Sequence, residues 1–205
     1  MKKVRIGKKV LFIVSMAILV AAACKKEKSD PNIIYRLYNL ALTDTTSLTA
    51  PELQLNVDID GDSVMDYALK AAFDTIEPDT IIRRIILQHG DTNNNKVLAT
   101  STFLPNGIYT SVLKQLYADD AIDSNSVGFN NTGDVLLRAF KGTELFGYFG
   151  FYDDTEKLIG LKFKIGSETH YGWLRVQLSF DKKTCTIKDG AYQNLADKEI
   201  AAGDL

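Results

Sequence analysis

The chain has 205 residues, 45% of them hydrophobic, with 24 Lys and Arg against 26 Asp and Glu and a formal net charge of −2. That length supports one well-formed core, and two full domains would be unusual. The absence of a basic excess argues against nucleic acid as a partner and against a polybasic grip on anionic lipid.

Met1 to Lys9 carries Lys2, Lys3, Arg5, Lys8 and Lys9, and Val10 to Ala23 is an apolar run. The run is too short for a comfortable membrane span and has the layout of an export signal. It ends in Ala21-Ala22-Ala23-Cys24, which resembles a bacterial lipobox with Ala at the −3 position where Leu is favoured. The resemblance implies that Cys24 receives a diacylglyceryl group before cleavage. Each buried methylene of such palmitate-like chains contributes about 0.8 kcal/mol, so two chains anchor stably where one would not. The expected organisation is a lipoprotein signal peptide over 1–23, an acylated tether over 24–32 and one domain over 33–205. Removing the signal takes away five basic residues and no acid, which moves the net charge from −2 to −7. The expected location is the cell envelope, on a lipid anchor in the outer membrane and open to display at the cell surface.

From Ile33 onward the apolar period is mostly two. Leu53, Leu55, Val57 and Ile59 alternate with polar residues, and Tyr67, Leu69, Ala71 and Phe73 share one parity. Such alternation sets one face on a core and the other in water. Further strands are expected over Ile81–His89, Val135–Phe140 and Leu145–Tyr152. Val112, Leu113, Leu116 and Tyr117 allow one short helix within Thr110–Asp119, whereas Asn93–Asn95 and Asp123–Gly133 read as polar loops. Ile159, Leu161, Phe163 and Ile165 form one apolar face, then Leu174, Val176, Leu178 and Phe180 another, with turns at Gly166-Ser167 and Asp181-Lys182-Lys183. Short strands joined by polar turns predict an all-β fold, an antiparallel β-sandwich of jelly-roll type with at most one short helix.

The strongest chemical motif is Asp58-Ile59-Asp60-Gly61-Asp62-Ser63-Val64-Met65-Asp66, set between two patterned strands. Counted from Asp58, carboxylates stand at the first, third, fifth and ninth places, and Val64 would offer its backbone carbonyl. A hard cation such as Ca2+ takes six to eight oxygens at about 2.3–2.6 Å, and a tight loop with acids at odd places converges them. Asp58, Asp60, Asp62, Val64 and Asp66 are therefore the candidate ligands of a structural Ca2+. The spacing resembles the short Asp-rich loops of dockerin-type and integrin-type calcium repeats. Ser63 stands where those loops and the EF-hand have Gly, and Leu69 replaces the bidentate Glu of the EF-hand. The competing reading is a solvated acidic turn.

Cys24 and Cys185 are the only cysteines, so acylation of Cys24 leaves no intrachain disulfide, and Cys185 reads as a buried thiol. His89 is expected at a strand end, and His170 at the rim of the core face, bonded to a neighbouring strand. The chain has no Gly-x-Ser-x-Gly elbow, zinc-type His or Cys cluster, or phosphate-binding glycine loop. Asp119-Asp120 and Asp153-Asp154 read as solvated turns, and the aromatic run Phe146 to Tyr152 as core. Tyr171, Trp173 and Arg175 lie opposite Leu174 and Val176. They make either a ligand platform for stacking a sugar or a second buried face under another layer.

The last third carries Leu158-Ile159-Gly160-Leu161-Lys162-Phe163, His170-Tyr171-Gly172-Trp173-Leu174-Arg175-Val176, Ala191-Tyr192 and Ala201-Ala202-Gly203-Asp204. These segments resemble a widespread set of exported bacterial proteins, many with an Asp-rich segment upstream. The resemblance implies an exported, mostly β domain and brings no activity. The expected function is a non-catalytic binding or structural module for a glycan or a protein partner. The alternative is an extracellular hydrolase of a polymer such as polysaccharide, with His170 as a candidate base.

Overall fold

The computed structural model describes residues 30–77, 79–90, 94–103 and 109–205, apart from the side chains of Ile76, Glu77 and Phe146. The expected signal peptide, Cys24 and most of the expected tether lie outside the described residues. Pro31–Leu205 forms one compact unit.

Its first strands are β1 (Ile33–Thr43), β2 (Glu52–Val57), β3 (Tyr67–Glu77), β4 (Thr80–His89), β5 (Lys96–Phe103), β6 (Tyr109–Leu113) and β7 (Ala121–Ile122). The remainder are β8 (Phe129–Asn130), β9 (Thr132–Lys141), β10 (Glu144–Gly150), β11 (Lys157–Ile165), β12 (Glu168–Leu178), β13 (Thr184–Gln193) and β14 (Ile200–Ala201). Among the described residues there is no helix. The all-β expectation holds.

One large sheet runs β1-β13-β12-β11-β5-β6-β9-β4-β3-β2, with β10 added on β9 and β8 on β5. It is mixed rather than purely antiparallel, because β6 and β9 run parallel where Val112 meets Asp134. The sheet curls nearly into a barrel, which brings β1 near β2: Arg36 and Tyr38 of β1 reach the backbone carbonyls of Asp60 and Ile59, just past the end of β2. The core fills the inside. Val57, Tyr67, Leu69, Ile85, Leu136, Ile159, Leu161, Phe163, Leu174, Val176 and Ile187 pack there, and the predicted period-two faces of β2, β3, β11 and β12 supply most of them. Tyr67 Oη crosses this interior to lie 3.0 Å from the Lys96 carbonyl and 2.9 Å from that of Lys162.

Several local expectations change. The first half of the stretch with helical spacing belongs to β6, whose backbone pairs with β5 from Ala99–Leu113 to Phe103–Tyr109 and whose Thr110 hydroxyl donates to Asp134 at 2.6 Å; beyond it, Leu116 forms an isolated bridge with Leu158. Sheet pairing satisfies those amides, and tertiary context overrides a weak local signal. Phe180 lies beyond the end of β12 and is 87% exposed, so it leaves the apolar face that Leu178 closes. In the aromatic run, Phe151 is buried while Tyr148 and Tyr152 are exposed; Phe146 lies outside the described side chains. The 123–133 stretch holds β8 and the start of β9 as well as loop.

A second, smaller cluster lies on the opposite face of β12 and β13. There Tyr171, Trp173, Ala191 and Leu98 pack with Ile122 of β7 and Ile200 of β14, the two strands of a separate small sheet. Tyr171 is 1% and Trp173 0% exposed. The ligand-platform reading of Tyr171, Trp173 and Arg175 is thereby corrected: a second layer covers both rings. Arg175 is half-buried, 3.2 Å from Asp189 and 3.4 Å from Glu156, with its guanidinium over the Trp173 ring at 5.7 Å. Gly172 supports this packing, since a Cβ there would meet the Ala191 carbonyl oxygen at 2.7 Å.

Candidate metal centre

The acidic loop joins β2 to β3 at one end of the sheet. Its ends are closed by the Asp66 N–H, which donates to the Val57 carbonyl at 3.1 Å. Ile59 is buried and anchors the first turn, and its N–H donates to Asp66 Oδ2 at 2.8 Å. Aspartates then fold the loop onto themselves, as short carboxylates do when they accept from backbone two or three residues on. Asp58 Oδ1 accepts from Gly61 N–H at 2.5 Å and Asp58 Oδ2 from Ser63 N–H at 2.9 Å. Asp60 accepts from Asp62 N–H at 3.0 Å, and Asp62 from Val64 N–H at 2.7 Å.

This winding brings Asp58, Asp60 and Asp66 together, with one carboxylate oxygen of each within 4.8 Å of the others. Asp62 is exposed and stands outside this trio, and the Val64 side chain is exposed. Gly61 has φ +82° and Ser63 φ +71°, both in the left-handed region. Ser63, the residue that departs from the calcium-loop pattern, therefore adopts the backbone conformation for which that pattern uses Gly. At Gly61 the left-handed φ disfavours any side chain, and a Cβ there would also displace the Arg36 guanidinium packed against it.

Two residues essential to this geometry carry no local sequence signal. Arg36, from β1, donates to the Asp60 carbonyl. Asn95, read from sequence as part of a polar loop, is 3% exposed. Its amide donates to Asp66 Oδ1 and to the Asp66 carbonyl, both at 3.2 Å, while its own oxygen accepts from Lys164 N–H at 3.0 Å. Asn95 thus ties the loop to β11. Only knowledge of which distant strands meet there could have revealed either residue.

Two carboxyls of this trio are raised. Burial pushes the Asp66 carboxyl up to about 6, with Asp60 adding to the rise and the Ile59 N–H opposing it. Asp60 is also raised, again chiefly by burial, with Asp62 and Asp58 contributing repulsion. A bound divalent ion would neutralise this repulsion. The donors are all carboxylate oxygens, which suits a hard cation; zinc sites draw mostly on His and Cys.

The remaining candidates behave structurally. His170 is 3% exposed, its Nδ1 is 2.9 Å from the Gln193 carbonyl, and it packs against the rings of Phe163 and Tyr192. Among the described residues no carboxylate hydrogen-bonds it, and its ring lies in the packed core. His89 ends β4, with Nδ1 2.9 Å from the Gly90 carbonyl. Cys185 is fully buried, and burial pushes its thiol up to about 12, far from a reactive thiolate. Asp153 is bonded by Thr155 and Lys157, and Asp120 by Tyr117 N–H, as turn residues.

No protein-family model, curated protein or solved structure matches the chain.

Proposed function

We propose that this chain is an exported lipoprotein whose β domain is a non-catalytic binding or structural module for a glycan or protein partner, steadied by a Ca2+ ion in the loop between β2 and β3. The observation that supports the calcium reading is the meeting of Asp58, Asp60 and Asp66 at one hairpin tip, with Asp66 buried. Asp58, Asp60 and Asp66 would hold the ion, which would supply positive charge and pin the turn. The anchor rests on the charge order, apolar length and small residues that precede Cys24. Attachment through two acyl chains would hold the domain at the outer membrane.

Calcium titration followed by thermal melting tests the loop. Extracellular calcium modules bind with Kd near 10⁻⁴–10⁻³ M as an order of magnitude. Ten times Kd would stabilise by about 1.4 kcal/mol, or about 3–5 °C for a chain of this size. Asp60→Ala should abolish the rise, and an unchanged melt at millimolar calcium would leave the loop a plain turn. Mass spectrometry of the mature N-terminus tests the anchor: diacylglyceryl on Cys24 is expected, and a new but unmodified terminus would remove it.

A further inference from the structure

Away from the acidic loop, at the end of β1, a cavity of about 300 Å³ is lined by Asp44, Thr46, Arg83, Arg138, Phe140 and Lys183, among others. Arg83 and Arg138 stand directly opposite each other across the β4–β9 pair. Like charges so placed repel. One carboxylate lies between them: Asp44, with its side chain fully buried, accepts from Arg138 Nη2 at 2.5 Å and from Arg83 Nη1 at 3.3 Å. Asp44 is itself held by the Thr46 N–H at 3.1 Å and the Thr46 hydroxyl at 2.5 Å. A rigid carboxylate therefore balances only one of two guanidiniums.

Lys183 also lines the cavity: its carbonyl accepts from the Asp44 N–H at 2.7 Å, and its side chain is exposed. Asp181, on the exposed turn beside it, acts on Arg138 from outside the lining and offsets one charge in part. The lining is still cationic. Arg83 Nη1 also donates to the Thr46 carbonyl at 2.9 Å, and its guanidinium lies over the Phe73 ring at 5.1 Å, so what the network has in excess is positive charge.

We propose that this cavity binds the oxyanion of a small ligand, a carboxylate or a phosphate, on Arg83, Arg138 and Lys183. Guanidinium forks suit either group, because their N–H pairs match planar and tetrahedral oxyanions. At about 300 Å³ the cavity stands at the small end of ligand pockets, which suits a small ligand. Phe140 gives that attachment an apolar wall. An acidic sugar and a phosphorylated one are the two sources of this chemistry.

Titration of the ¹⁵N-labelled chain with glucuronate, inorganic phosphate and neutral glucose, at constant ionic strength, decides the matter. The expected result is saturable shifts at the amides of Thr46, Arg83 and Arg138 with at least one anion and none with glucose. Saturation by glucuronate alone identifies a carboxylate ligand, and by phosphate alone a phosphorylated one. Lys183→Ala, a change at an exposed side chain, should weaken binding about threefold to fivefold. Arg83→Gln should weaken it about tenfold or more. Shifts that stay linear to tens of millimolar with both anions would overturn the site. So would an affinity unchanged by Lys183→Ala, which remains informative if Arg83→Gln fails to fold.

Discussion

Ser63 shows how one side chain can be at odds with its backbone. Its φ of +71° lies where a Cβ crowds the following carbonyl oxygen, at a cost of about 1–2 kcal/mol. Glycine avoids the clash but loses about 0.5–1 kcal/mol through its freer unfolded chain. Ser63→Gly should therefore stabilise the protein by about 0.5–1 kcal/mol, read as a higher urea midpoint at unchanged slope. Asp66 makes a second prediction at this scale. Its carboxyl stands at about 6 in the folded chain against an ordinary 3.8, so the folded state holds the extra proton between those values. Its contribution to stability is full below about 4 and is lost as pH rises through 6. Without calcium, Asp66→Asn should flatten that fall relative to the parent chain, measured by melting from pH 4 to 7. Because protons and calcium compete for the same oxygens, calcium affinity should also weaken below pH 6. A parent profile matching that of Asp66→Asn would count against the buried, raised carboxyl.

At the scale of elements, β12 is buried on both faces. Leu174, Val176 and Leu178 face the main core, while Tyr171 and Trp173 lie beneath β7 and β14. Trp173→Ala should cost about 3–5 kcal/mol in chemical denaturation, as removal of a large core aromatic does. Arg175→Ala should cost under about 1 kcal/mol, since its ion pairs are partly exposed. An open aromatic platform would show the reverse, with Trp173→Ala nearly neutral. The sequence made the inner face of β12 legible through its parity, and it left the outer face undecided between platform and core. The covering strands are two residues each, too short to show any alternation. The same limit explains β6: its five residues are too few to show alternation against the Val112, Leu113, Leu116, Tyr117 spacing that runs on past its end, and pairing to β5 decides.

For the whole molecule, the curl of the sheet brings β1 to the acidic loop. Arg36 bonds the Asp60 carbonyl and packs on Gly61, while Tyr38 Oη lies 3.4 Å from the Ile59 carbonyl. Closure of the fold and the shape of the candidate metal centre are thus one event. Arg36→Ala should raise amide exchange about tenfold across residues 58–66, the loss of about one charge-assisted hydrogen bond. Exchange in β5 and β6, far from β1 in the strand order, should stay unchanged. A uniform rise across all strands would mean that the contact sets global stability and has no local role.

What the amino-acid order decided by itself was local: period-two faces, polar turns, a buried thiol at Cys185, and aspartates spaced to wind into a loop. These follow from side-chain direction in an extended chain and from short carboxylates bonding nearby amides, which need no distant partner. Tertiary structure alone decided that Asp62 stands apart while Asp66 is buried under Asn95. It also decided that Trp173 lies under a second layer, and that Arg83 and Arg138 converge on Asp44. Each of those outcomes depends on which remote strands meet, and only the closing of the sheet brings them within hydrogen-bond reach.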